Sequence, residues 1–143
     1  MEARRIVEGR HLSGDTRIGD LLHADPYAVG LGAELTSADP IVLAMTVGAD
    51  HINFHGVAHG GAIFSLADCA FSLASNAAGP AAVAIDTHLA ITAAARQGDV
   101  LEATAEEITR GRSLATYRVT VSRPADARIV AMFTGTVFIR DGR

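Results

Sequence analysis

One cysteine, Cys69, in 143 residues excludes an internal disulfide. Its neighbours, Asp68, Ala70 and Phe71, include no cation to lower its pKa, so it reads as a small buried residue in a reducing cytoplasm and not as a nucleophile. No run of eighteen apolar residues is present, which excludes a membrane-spanning helix. The N-terminus, MEARRIVEGR, is charged where a secretory leader needs an apolar stretch. A net charge of -4 with scattered Lys and Arg lacks the basic face that a nucleic-acid partner requires. The chain therefore reads as one soluble, cytoplasmic domain, with no nucleic-acid or membrane partner.

Hydrophobic residues make up 49% of the chain, enough for a continuous core. Residues 1–15 show no periodicity and read as an N-terminal extension to a single domain over residues 16–143. A short helix is expected over 18–28, its end disturbed by Pro26. Residues 31–37 and 41–47, separated by SADP, read as paired strands. Further strands are expected at 81–92 and 100–109, the latter entered through the turn signal QGD. Tyr117, Val119 and Val121 alternate with Arg118, Thr120 and Ser122, the period of a half-buried strand. RPADAR then turns the chain into a last strand over 129–139. About six antiparallel strands wrapped around one strongly apolar helix make an α+β fold.

That helix begins within HINFHGVAHGGAIFSLADCAFSLASN at 51–76. Gly60 and Gly61 stand where a helix start exposes unpaired N–H groups, which can polarise a carbonyl and stabilise an oxyanion; they also suit a tight loop and nothing more. Ser65, Asp68, Ser72 and Ser75 share one helical face. The stripe is either solvent-facing or the wall of a cleft, with Asp68 as nucleophile or general base and Ser72 orienting it or a water. At 1.5 Å rise per residue, Asp68 lies about 12 Å along the axis from Gly60. One chain cannot aim both at one carbonyl, so joint action on a bond requires Gly60 of one subunit to face Asp68 of another.

His51, His55 and His59 are spaced by four residues, a ligand spacing for zinc if the segment were helical, but Gly56 argues against a helix and no metal is expected. His59 is expected to hold the loop through hydrogen bonds and His51 to be solvated. Asn53 and His55 precede the glycines, where they can meet a substrate carbonyl or brace the turn.

Asn53, His55-Gly56, His59-Gly60-Gly61, Phe64-Ser65-Leu66-Ala67-Asp68, Ala70-Phe71 and Ser75-Asn76 form an ordered string that resembles the hotdog-fold acyl-CoA thioesterases of the phenylacetate-degradation (PaaI) type. Looser resemblance runs from Tyr27 to Phe138 through GDVLEATAEE, GRSLATYRVTV and AMFTGTVF. The resemblance implies a long helix wrapped by an antiparallel sheet, dimers that commonly form tetramers, and hydrolysis of an acyl-CoA to a carboxylate and free CoA without a cofactor. It implies Asp68 as the catalytic carboxylate, Gly60 as the N–H donor, Asn53 as a positioning group, His59 as the histidine of the HGG motif and Ser72 as a hydroxyl used in some relatives. His55 and Gly61 join them as substrate-binding candidates. Relatives often carry an aromatic and Arg-Pro where this chain has Ile91-Thr92-Ala93-Ala94-Ala95. For the CoA phosphates, Arg110, Arg112 and Ser113 in TRGRS are the candidates, with Arg96 in reserve, against a reading as solvated turn charges. Two other functions fit the same elements: a non-catalytic acyl-CoA-binding sensor, and a hydratase or dehydratase on the same fold.

Overall fold

The computed structural model describes residues 12–140. Their order is α1 (Leu12–His23), α2 (Pro26–Leu31), β1 (Glu34–Ala38), β2 (Ile41–Thr46), a 3-10 turn (Ala49–His51), α3 (Gly60–Asn76), β3 (Ala82–Ile91), β4 (Val100–Arg110), β5 (Leu114–Arg123) and β6 (Arg128–Ile139). The expected extension falls partly outside this span, since residues 1–11 are not described; residues 12–15 already belong to α1. The single helix expected over 18–28 is two helices. Pro26 starts the second instead of ending the first, because Asp25 caps it, its carboxylate accepting from the N–H groups of Tyr27 and Ala28 at 3.1 Å.

The six strands form one antiparallel sheet in the order β1-β2-β4-β5-β6-β3. Its inward rows alternate with polar ones: Leu101, Ala103 and Ala105 on β4, Ala115, Tyr117, Val119 and Val121 on β5, Ala131, Phe133, Val137 and Ile139 on β6, all buried. Many of these are alanines, and that leaves room for α3 to bring Ile63, Leu66 and Phe71 close to the sheet. Gly135 completes this fit, since a Cβ there would stand 2.7 Å from Phe71 Cζ and 2.9 Å from Phe133 Cε1. On the far side α1 buries Ile18 and Leu22, and Arg17 donates to the carbonyls of Asn76 and Gly79 at 3.2 and 3.4 Å, closing the C-terminal end of α3.

The strand β3 occupies one edge of the sheet, bonded to β6 alone. Its ten residues are exposed or half-exposed throughout, including Val83 at 47%, Ile85 at 60% and Ile91 at 48%. Its two ends are fixed against α3. Asn76 exchanges hydrogen bonds with Ala82, and Ile91 lies over Gly60, where a Cβ would meet its Cδ1 at 3.2 Å.

Candidate active site

The segment 51–59 is an irregular loop. His51 ends the 3-10 turn and its Nδ1 accepts from the Gly48 N–H at 2.9 Å. The Asn53 side-chain oxygen accepts from the N–H groups of His55 and Val57 at 2.9 and 3.3 Å, so it braces the turn whose corner is Gly56, at φ 83°. His55 is exposed at that corner, its ring 4.4 Å from the fully solvated Phe54. The three histidines therefore do not line up on a helix, and among the described residues no group of three or more His, Cys, Asp or Glu is arranged to hold a metal.

His59 is the N-cap of α3, in extended conformation, and its Nδ1 accepts from the Gly61 N–H at 2.8 Å. Its carbonyl accepts from Ala62 and Ile63. The expectation that His59 holds the loop is met in this way. Among the N–H groups of the first turn, that of Gly60 donates to no acceptor among the described residues. The cap thus satisfies Gly61 and leaves the Gly60 N–H uncommitted at the positive end of α3.

Eight residues on, Asp68 is half-buried. Burial, and then the like charge of Asp25, push its carboxyl above the usual 3.8. Ser72, one turn later, is exposed beside it, so both stay open to solvent. The other two hydroxyls of the stripe do not. Ser65 is covered by α2, its Oγ donating to the Gly61 carbonyl at 2.8 Å and sharing a 2.8 Å hydrogen bond with the Tyr27 hydroxyl; Ser75 is buried and donates to the Ser72 carbonyl. A period of 3.6 places all four together but cannot see α2. Burial, followed by the charges of Asp25 and Asp68, pushes the Cys69 thiol up to about 12, which removes it as a nucleophile at neutral pH.

Arg110, Arg112 and Ser113 stand at the β4–β5 turn, at the Asn76 end of the sheet and far from Gly60 in the same chain. Arg110 Nη1 donates to Glu107 at 3.3 Å and to the Tyr117 hydroxyl at 3.1 Å, while Arg112 and Ser113 are exposed. Desolvation and the hydrogen bond to Glu107 push Tyr117 up to about 12. Arg96 is exposed near the Gly60 end. Sequence reasoning missed Asp25, whose charge acts on Asp68, and Tyr27, which covers Ser65. The Asp-Pro pair was a readable helix-start signal for them.

One helix therefore carries an uncommitted N–H at its start and a carboxylate of raised basicity about 12 Å along it. The residues at 55–130 match the model of the thioesterase superfamily. The chain is 37% identical over 113 residues to the acyl-coenzyme A thioesterase PaaI of Escherichia coli K12, over 78% of its own length and 80% of that protein's. It superposes with a TM-score of 0.76 on a mutant of the phenylacetic acid degradation protein PaaI of Thermus thermophilus, at 44% identity, covering 80% of this chain and 98% of that one. A hypothetical thioesterase protein from Streptococcus pneumoniae TIGR4, solved with coenzyme A, is similar at a TM-score of 0.68 and 27% identity, over 72% of this chain and 80% of that one.

Proposed function

The chain belongs to the thioesterase superfamily, and from that premise we propose that it hydrolyses acyl-CoA thioesters, aromatic acyl groups among them, at sites shared between two subunits. Its helix inside a six-stranded antiparallel sheet is the hotdog fold, and the protein is a thioester hydrolase. The observation that carries the finer reading is the uncommitted Gly60 N–H on the same helix as Asp68, too far from it to share a carbonyl within one chain.

The open edge at β3 supports the dimer. A ten-residue edge with exposed Val83, Ile85 and Ile91 is a template for another strand unless it is covered. A second copy pairing antiparallel along β3 brings the Ile91 end of one chain to the Ala82 end of the other. Because Gly60 lies at the first end and Asn76 at the second, each Gly60 then approaches the half of the facing helix that carries Asp68 and Ser72. The same symmetry carries Arg112 and Ser113 toward the facing Gly60, where they can meet a CoA phosphate. Pairing of dimers into tetramers, and a place in the cytoplasm with the soluble CoA substrate, complete the reading. Among the described residues no helix is long and apolar enough to cross a membrane.

In the reaction, the Gly60 N–H binds the thioester oxygen and stabilises the negative charge that develops on it. Asp68 of the facing subunit takes a proton from water as the water oxygen bonds to the carbonyl carbon. The carbon–sulfur bond then breaks, and the proton passes from Asp68 to the departing CoA sulfur, leaving the carboxylic acid and CoA. The raised basicity of Asp68 serves this proton transfer and would equally serve direct attack by the carboxylate, so labelled water is needed to separate the two routes. Asn53 and His59 hold the loop that aims Gly60, and His55 and Gly61 lie on its exposed side.

The test is thiol release from short, long and aromatic acyl-CoAs by wild type and Asp68→Ala. Release that depends on Asp68 supports the reading. A panel that binds without release makes the protein a sensor. Single-turnover hydrolysis in labelled water separates the routes: label in the product acid alone supports water attack, and label in Asp68 supports a mixed anhydride.

A further inference from the structure

Residues 91–95, where the chain is small and uncharged, form a strap beneath the loop that carries Gly60. Ile91 lies against Gly60 itself. The buried Ala95 accepts the Ala58 N–H at 2.8 Å, one residue before the N-cap His59, whose own N–H donates to the His51 carbonyl. The strap is fastened to β6 on one side, where the N–H groups of Thr92 and Ala93 donate to the Val130 carbonyl at 2.8 and 3.3 Å. On the other side a single side chain, Arg123 at the end of β5, holds it. Arg123 Nη1 donates to the Ala94 carbonyl at 2.9 Å and to Asp99 at 3.4 Å, while Nε and Nη2 make two 2.9 Å hydrogen bonds to Asp126. Asp99 in turn accepts the Arg96 N–H at 2.9 Å. The Arg123 side chain as a whole is 18% exposed, and through these hydrogen bonds it ties the strap to the sheet.

We infer that Arg123 is a positioning residue for the Gly60 N–H, acting through the strap 91–95; the inference rests on the function proposed above for Gly60. The planar fork fits this task better than a lysine, since two nitrogens are locked on Asp126 while the third is aimed at Ala94. Without it, residues 94–95 and the Ala58 contact lose their anchor, and the donor drifts from the carbonyl while CoA contacts elsewhere persist. A displacement on the order of 1 Å at such a centre lowers turnover by up to about 100-fold.

The experiment compares kcat and KM for the best acyl-CoA in wild type, Arg123→Ala, Arg123→Lys, Gly60→Pro, and the double variant Arg123→Ala/Gly60→Pro, with Arg118→Ala as a control for lost charge. Arg118 pairs with Glu106 in an exposed position on the outer face, so its removal leaves kcat within about twofold. Arg123→Ala is expected to lower kcat by roughly 10- to 100-fold with KM within about threefold, and Arg123→Lys to recover part of the loss. Because both changes act on one donor, the double variant is expected to be no slower than Gly60→Pro alone. Multiplying effects, or Arg123→Ala at wild-type kcat while Gly60→Pro is impaired, overturn the inference and leave the proposed function standing. Gly60→Pro at wild-type kcat in a folded protein removes the function assigned to Gly60, and this inference with it.

Discussion

Replacing Gly60 by proline deletes the donor assigned to the thioester carbonyl and little else. Gly60 is the first residue of α3, where a missing N–H breaks no helical hydrogen bond and where the ring is preorganised for the helix. His59 before it sits at φ -64° and ψ 137°, the conformation a following proline favours. The one crowded neighbour is Ile91 Cδ1, 3.2 Å from a Cβ at this position, and it belongs to the end of a flexible side chain. Gly60→Ala meets the same neighbour but keeps the N–H. Loss of one oxyanion donor in a preorganised site lowers kcat by about 100- to 1,000-fold, roughly 2.7–4 kcal/mol of transition-state stabilisation. Thiol release measured in parallel should therefore place Gly60→Ala within about tenfold of wild type and Gly60→Pro at least about tenfold below Gly60→Ala, with thermal unfolding showing both folded. Equal kcat for the two folded variants would refute the assignment of the N–H.

Asp68→Asn should abolish turnover yet raise stability at neutral pH. The folded carboxyl binds its proton more tightly than the unfolded one, so its ionisation destabilises the fold as pH rises through the raised folded value, and the advantage of Asn should vanish below pH 3.8. Unfolding curves at both pH values check it, and an Asn variant no more stable than wild type at pH 7 contradicts it. In wild type, kcat should rise with pH through an apparent pKa above 3.8, and Asp25→Asn, which keeps the cap of α2, should move that limb to lower pH; an unchanged or upward-moving limb removes Asp25 from the electrostatics of the site. Gly135→Ala drives a methyl into the buried rings of Phe71 and Phe133 and should destabilise by about 3 kcal/mol, a fall of roughly 10 °C in Tm; a fall under about 3 °C would show that the rings can retreat.

The sheet was legible because its signals are local. The turns QGD and RPADAR place β4 and β6 within a residue of where they lie, and the alternation at 117–122 marks β5, which begins three residues earlier at Leu114. The start of α3 and the loop-holding role of His59 were legible for the same reason, as was the signal in Gly56 against a helix through the three histidines; that His59 does so as the N-cap is seen only in the fold. What escaped depends on contacts distant in sequence. The stripe with Ser65 reads as either solvent-facing or the wall of a cleft, and not as covered, because the residue that covers Ser65, Tyr27, comes from 38 positions away. Arg123 reads as an ordinary turn charge until the fold sets it against Ala94, 29 residues earlier. The edge position of β3 follows from strand order, which no property of residues 82–91 announces.

The central claim, that each site joins Gly60 of one subunit to Asp68 of another, is tested most directly by mixing two dead proteins. Gly60→Pro and Asp68→Asn chains, each inactive alone, are co-refolded in equal amounts and assayed for thiol release. In a mixed dimer one site carries both defects and the other neither; random pairing makes half the dimers mixed, so about a quarter of wild-type activity should return. If mixed dimers form and the activity stays at the level of the separate variants, each site lies within one chain and the account is wrong.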